Sequence, residues 1–177
     1  PGLVDAHTHL VFGGDRRSEL RRRLAGATYA EIAAEGGGIL RTVQTTRAAG
    51  EDELARAARG RLEEMLRSGT TTAEAKSGYG LATDAEMKML RVVRILGHEQ
   101  PIELTPTFLG AHEVPSEYRD CRRGYIDLVV KEMIPAVAGA GLAEWCDVFC
   151  ETGVFTAEES RGILVAARQS GLKLRIH

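Results

Sequence analysis

The 177-residue chain carries a formal charge of −2 and is 44% hydrophobic, enough apolar material for one domain with a sizeable core. The near-balanced charge gives no electrostatic case for nucleic acid or an anionic membrane, and no apolar run reaches the ~18 residues of a membrane span. Cys121, Cys146 and Cys150 are too sparse and odd in number for a disulfide framework and read as reduced thiols of a cytoplasmic protein.

Residues 2–9 (GLVDAHTH) read as a buried strand. A long connection follows over residues 10–50. It holds a basic cluster (Arg16, Arg17, Arg21, Arg22, Arg23), a short helical stretch at 29–35, and Gly36, Gly37 and Gly38. No Walker-type Lys-Ser/Thr follows the glycines, so they read as a hinge or tight turn rather than a phosphate loop. Residues 52–68 are helical, with Leu54, Ala58, Leu62, Met65 and Leu66 along one face and Gly69 as the stop. Residues 70–76 (TTTAEAK) form the second strand. Thr83 with Glu86 three positions later reads as a capping box opening a helix over 84–96, near Gly97. A third strand is expected over 102–109 and a helix over 125–137, with Pro135 near its end. A fourth strand covers 146–150 (CDVFC). Thr156 caps a helix over 157–169 that Gly171 ends, and 172–177 (LKLRIH) is the fifth strand.

Strands alternating with helices imply an α/β fold of parallel βαβ units with right-handed crossovers. An open doubly wound sheet and part of a (β/α)8 barrel both fit, and five strands in 177 residues match the first five-eighths of a barrel of ~250 residues. The chain starts at Pro1 just before one strand and stops at His177 directly after another. Domain boundaries usually fall in exposed linkers, so residues 1–177 are expected to be a fragment of a longer enzyme.

His7 and His9 carry the strongest chemical signal. Residues i and i+2 of a strand share a face, roughly 7 Å apart along the chain, so two imidazoles can converge on one cation. Two core histidines satisfied by hydrogen bonds would also fit the pair alone. Its place at the C-terminal end of a strand, where barrel active sites are built, favours the metal. His177 ends the fifth strand at the same rim. Three such histidines make an open metal site with a place for water, whose pKa a dication lowers toward ~7. His112, just past the third strand, is placed to bind substrate, stabilise developing charge or relay a proton, or simply to cap a backbone carbonyl. Tyr79, between Gly78 and Gly80, can stack on a planar ring and hydrogen-bond it, or pack over its own loop. Arg16 can hold a carboxylate bidentately, although an arginine in a basic cluster is often only solvated.

Three other positions carry weaker signals. His98 sits at a helix C-terminus and suits the dipole there. Glu151, after the fourth strand, could orient a ligand or form a salt bridge. Cys146 and Cys150 read as small buried hydrophobes rather than a zinc pair.

Four segments together, residues 1–16 (PGLVDAHTHLVFGGDR), 76–81 (KSGYGL), 107–112 (TFLGAH) and 148–155 (VFCETGVF), resemble the imidazolonepropionase family of the amidohydrolase superfamily. The resemblance spans the chain. It implies a (β/α)8 barrel that hydrolyses the ring C–N bond of 4-imidazolone-5-propanoate to N-formimidoyl-L-glutamate in histidine breakdown, using a metal-bound hydroxide. By motif match, His7, His9 and His177 correspond to the family's metal histidines, holding one zinc or iron ion. Arg16, Tyr79 and His112 correspond to substrate-binding residues, with His112 also catalytic. The family is commonly homodimeric. Its fourth metal ligand, an acidic residue soon after the fifth-strand histidine, and a small β-sandwich lie outside residues 1–177, so the segment alone is expected to be inactive, with an unpaired sheet edge. A sister deaminase or cyclic amidase, and a non-catalytic metal-binding module, remain as alternatives.

Overall fold

Five parallel strands form one sheet in the computed structural model, which describes residues 1–177 except 29, 30 and 33–35. They are β1 (Leu3–Thr8), β2 (Thr70–Lys76), β3 (Glu103–Ala111), β4 (Trp145–Val148) and β5 (Lys173–Leu174). Their spatial order is β1-β2-β3-β4-β5. A doubly wound sheet reverses its order at a switch point; this sheet does not, and follows the succession of barrel strands. β5 is shorter than expected by strand assignment, yet the ladder continues: Arg175 N–H donates to Cys146 O and His177 N–H to Val148 O.

Side-chain alternation sorts the two faces. Ala73, Ala75, Phe108, Cys146 and Val148 point outward into hydrophobic clusters with the helices. Glu74, Lys76, Thr107 and Asp147 point the other way and are buried all the same. The outer layer includes α1 (Arg17–Leu24), α2 (Ile39–Ala48), α3 (Glu51–Arg67) and α4 (Thr83–Glu99). It continues with α5 (Arg122–Leu128), a π-helical turn at Val129–Met133, α6 (Ile134–Gly139) and α7 (Ala157–Gln169). Leu54, Ala58 and Leu62 of α3 are buried against the sheet, as the apolar spacing predicts, while Leu66 is exposed.

Several expectations need correction. Among the described residues the connection 10–50 carries the helices α1 and α2, which its composition hides; most of the helical stretch expected at 29–35 lies outside the described residues. Gly36 and Gly38 take positive φ, 78° and 73°, which suits the tight turn read there. No capping box opens α4. Ala82 is its N-cap, Thr83 Oγ1 donates to Glu132, and the Glu86 carboxylate turns back to the preceding loop. The helix also runs past Gly97 to Glu99. The helix expected at 125–137 starts earlier, and the π turn precedes Pro135, whose missing N–H cannot bond back to residue 131. Thr156 does cap α7 in a full capping box with Glu159.

At the two sheet edges, Leu3 and Val4 of β1 are 63% and 70% exposed and Ile176 beside β5 is 56% exposed, so both edges are open among the described residues. No helix among them is long and apolar enough to cross a membrane.

Candidate metal and substrate site

The C-terminal ends of the strands bring five predicted residues together. The rings of His7 and His177 are 4.7 Å apart between centroids and those of His7 and His9 are 5.8 Å apart. His9 stacks on His112 at 4.8 Å with 11° between planes. Tyr79 lies 4.8 Å from His9 and 5.3 Å from His112. Arg16 stands to one side, sharing a cavity of about 200 Å³ with Phe12, Asp15, Thr42 and Tyr79. Tyr79 therefore borders both the imidazole cluster and the arginine cavity. The structure places His98 in the last turn of α4, consistent with its reading as a dipole-complementing residue.

The loop 77–81 holds Tyr79 in place by an unusual route. Glu86 is fully buried, and its carboxylate accepts N–H bonds from Gly78, Gly80 and Leu81 at 2.7–3.2 Å. Burial pushes this carboxyl up, while the hydroxyl of Ser77 and the three backbone donors pull it down. Leu81 adopts φ 49°, a left-handed conformation that a non-glycine residue takes only under constraint. At Gly78 (φ 105°) a Cβ would lie 2.9 Å from both His112 Nδ1 and Leu109 O, and at Gly80 it would lie 2.5 Å from Glu86 N. Both glycines are thus required by close approach. Gly78 O in turn meets His112 Nδ1 at 2.8 Å. A carbonyl only accepts, so His112 Nδ1 carries the proton and a neutral ring leaves Nε2 as an acceptor.

Burial pushes His9 down to about 3, helped by His112 and His7, and His112 down to about 4. His7 is lowered as well, by burial and then by Lys76. These imidazoles are neutral at pH 7 and keep lone pairs to share. Burial raises Tyr79, so its phenol stays protonated.

Whether the histidines suit a metal is decided at the ring nitrogens. His9 Nδ1 is buried without a hydrogen-bond partner, a costly state that a bound cation would relieve. Neutral imidazoles at strand ends suit zinc and iron alike. Yet among the described residues no group of three or more His, Cys, Asp or Glu side chains is arranged, as it stands, to hold a metal ion. The rings are gathered at the rim, and His177 Nδ1 already faces Asp147 Oδ2 at 2.8 Å. Rings this close need only side-chain rotation to share an ion, and the orphaned nitrogen of His9 leaves a donor available for one. The donor chemistry of these neutral histidines is thus compatible with a metal ion.

Three participants escape a reading of the chain alone. Phe149 stacks on His177 at 5.0 Å with 4° between planes. Lys76 and Asp147, 2% and 1% exposed, meet beneath the histidines with Nζ 2.5 Å from Oδ2. Their signal was a charge inside each strand-like run, at positions that alternation aims away from the helices. Glu151, by contrast, is exposed and accepts from its neighbour Thr152 N–H at 2.6 Å, the contact of a local turn. All three cysteines are free, and burial pushes Cys146 up to about 12, as for a small buried hydrophobe.

Comparison with known proteins identifies the family. The sequence model of the amidohydrolase family matches residues 1–177. The chain is 58% identical over 177 residues to an imidazolonepropionase of Solibacter usitatus, 55% to one of Alkaliphilus metalliredigens and 56% to one of Myxococcus xanthus. Each alignment covers 100% of the chain and 42% of the relative, so the chain spans less than half the length of these relatives.

Proposed function

The chain belongs to the amidohydrolase family, and we propose that it forms the first five βα units of a (β/α)8 barrel whose complete protein hydrolyses 4-imidazolone-5-propanoate to N-formimidoyl-L-glutamate. One observation carries this reading: the imidazoles of His7, His9, His177 and His112 share one strand-end rim with Tyr79, whose other side borders the Arg16 cavity. The names of the relatives supply the substrate, which combines a planar ring with a propionate. Strand-end side chains and the loops above them are where barrel enzymes do their chemistry.

In this reading His7, His9 and His177 hold one zinc or iron ion. When bound, such an ion acidifies a water toward a pKa of ~7 and polarises the ring carbonyl. Arg16 takes the propionate with a bidentate pair of charge-assisted hydrogen bonds. Tyr79 covers one face of the ring and helps to exclude water. Neutral His112 offers Nε2 to a ring N–H, which fixes the tautomer and the orientation of the scissile bond. The expected oxyanion-stabilising role would need a proton at Nε2, and the bond to Gly78 O places it at Nδ1 instead. Overall, water oxygen joins the ring carbonyl carbon, the amide C–N bond breaks, and the departing nitrogen gains a proton. An acidic residue beyond residues 1–177 is proposed to carry that proton, and the family resemblance supports a cytoplasmic homodimer.

Arg16→Ala in the full-length enzyme tests the substrate. Losing a charged hydrogen-bond pair costs about 1.5–3 kcal/mol, so KM should rise about tenfold to hundredfold with kcat less affected. An unchanged KM on imidazolone propanoate would remove the propionate assignment and favour a sister amidohydrolase.

A further inference from the structure

Asp147 occupies a position that hydrophobic packing alone would not choose. Its strand neighbours Cys146 and Val148 lie in the outer hydrophobic cluster, so alternation turns Asp147 inward, where it is 1% exposed. Its oxygens are fully engaged. Oδ1 accepts the N–H of Val148 at 2.8 Å, and Oδ2 meets Lys76 Nζ at 2.5 Å and His177 Nδ1 at 2.8 Å. Lys76 is held from its other side by Glu74 Oε2 at 3.0 Å. Glu74 Oε1 in turn accepts from Thr107 Oγ1 at 2.6 Å and pairs with Arg175 at 2.9 Å. A single chain of contacts thus links β2, β3, β4 and the segment after β5. Buried ion pairs of this kind are often no more stabilising than well-packed hydrophobic residues, so they are weak candidates for a purely structural role.

The end of the chain of contacts is informative. The backbone of His177 is fixed on both sides, its N–H donating to Val148 O at 3.1 Å and its carbonyl accepting from Cys150 N–H at 2.7 Å. Phe149 stacks on one face of its ring. What remains free is ring rotation and the choice of protonated nitrogen, and the Asp147 contact settles both. A histidine that ligates a metal characteristically donates its other N–H to a carboxylate, which orients the ring and strengthens the donor nitrogen.

We propose that Asp147 is the positioning residue of His177: it accepts the Nδ1 proton, presents Nε2 to the metal, and is itself anchored by Lys76. This rests on the reading of His7, His9 and His177 as a metal centre.

The experiment uses the full-length protein, with zinc affinity measured by chelator competition. Asp147→Ala should weaken zinc binding about tenfold to hundredfold, and Asp147→Asn, whose amide oxygen still accepts a hydrogen bond, should recover part of the loss. Glu74→Gln disturbs the same buried network without touching His177 and should leave zinc affinity within about twofold. Histidine-labelled 15N NMR of the zinc-loaded wild type adds a readout that needs no variant to fold. It should show His177 ligated through Nε2 with Nδ1 protonated. Unchanged affinity in Asp147→Ala, an equal loss in Glu74→Gln, or ligation through Nδ1 would overturn the assignment while leaving the metal centre standing. A wild type that binds no zinc would remove both.

Discussion

His9→Ala in the full-length protein is expected to abolish tight metal binding and to lower kcat/KM by at least about a thousandfold. The figure follows from the several kcal/mol that a metal ion contributes to transition-state charge stabilisation, at about 1.36 kcal/mol per factor of ten. His9 is also the ring on which His112 stacks, at 4.8 Å, so its loss loosens a substrate contact as well. Stability should fall less than in an ordinary core truncation. His9 Nδ1 is buried and unpartnered, so removing the ring from the metal-free protein removes an unsatisfied polar group along with its packing. Metal analysis, steady-state kinetics and thermal unfolding of the metal-free protein check the three parts separately. A variant that keeps its metal and its activity would show that His9 is a structural core histidine.

Lys76→Met should produce the largest loss of stability that any single substitution in the buried network can give. It leaves Glu74 and Asp147, 4% and 1% exposed, facing each other without the ammonium between them. Breaking a buried pair by deleting one partner costs about 3–5 kcal/mol. At roughly 2–4 °C per kcal/mol for a chain of this order of size, Tm of the metal-free protein falls by about ten degrees. Arg175 and His177 compensate only in part, since each already holds one carboxylate. Replacing Lys76, Glu74 and Asp147 together by apolar residues should recover much of the loss, because no charge is then left unpaired. A Tm unchanged in Lys76→Met would mean that water enters the network and screens it.

The sheet was legible in the chain because its signals are local. Strand-like runs bounded by helix stops and caps located all five strands, and His7 and His9 follow from a two-residue period. α1 and α2 were not legible. RSELRRRL has no apolar stripe, and ILRTVQTTRA mixes β-branched residues with polar ones behind three glycines. Glu86 misled for a different reason: the capping-box pattern is present, but the loop 77–81 offers three backbone N–H groups that compete for the same carboxylate. Lys76 and Asp147 are 71 positions apart, and their meeting depends on β2, β3 and β4 being adjacent in space. No property of either residue announces it. The candidate histidines come together because strand ends of one rim converge whatever their separation along the chain.

The proposed gathering of His7, His9 and His177 round one ion is tested most directly by X-ray absorption spectroscopy of the full-length protein, with metal content measured on the same sample. The expected result is one zinc or iron ion per chain with imidazole nitrogens at about 2.0–2.1 Å, and loss of that imidazole signal when any of the three histidines becomes alanine. A shell without imidazole nitrogens, or one that survives all three substitutions, would contradict it.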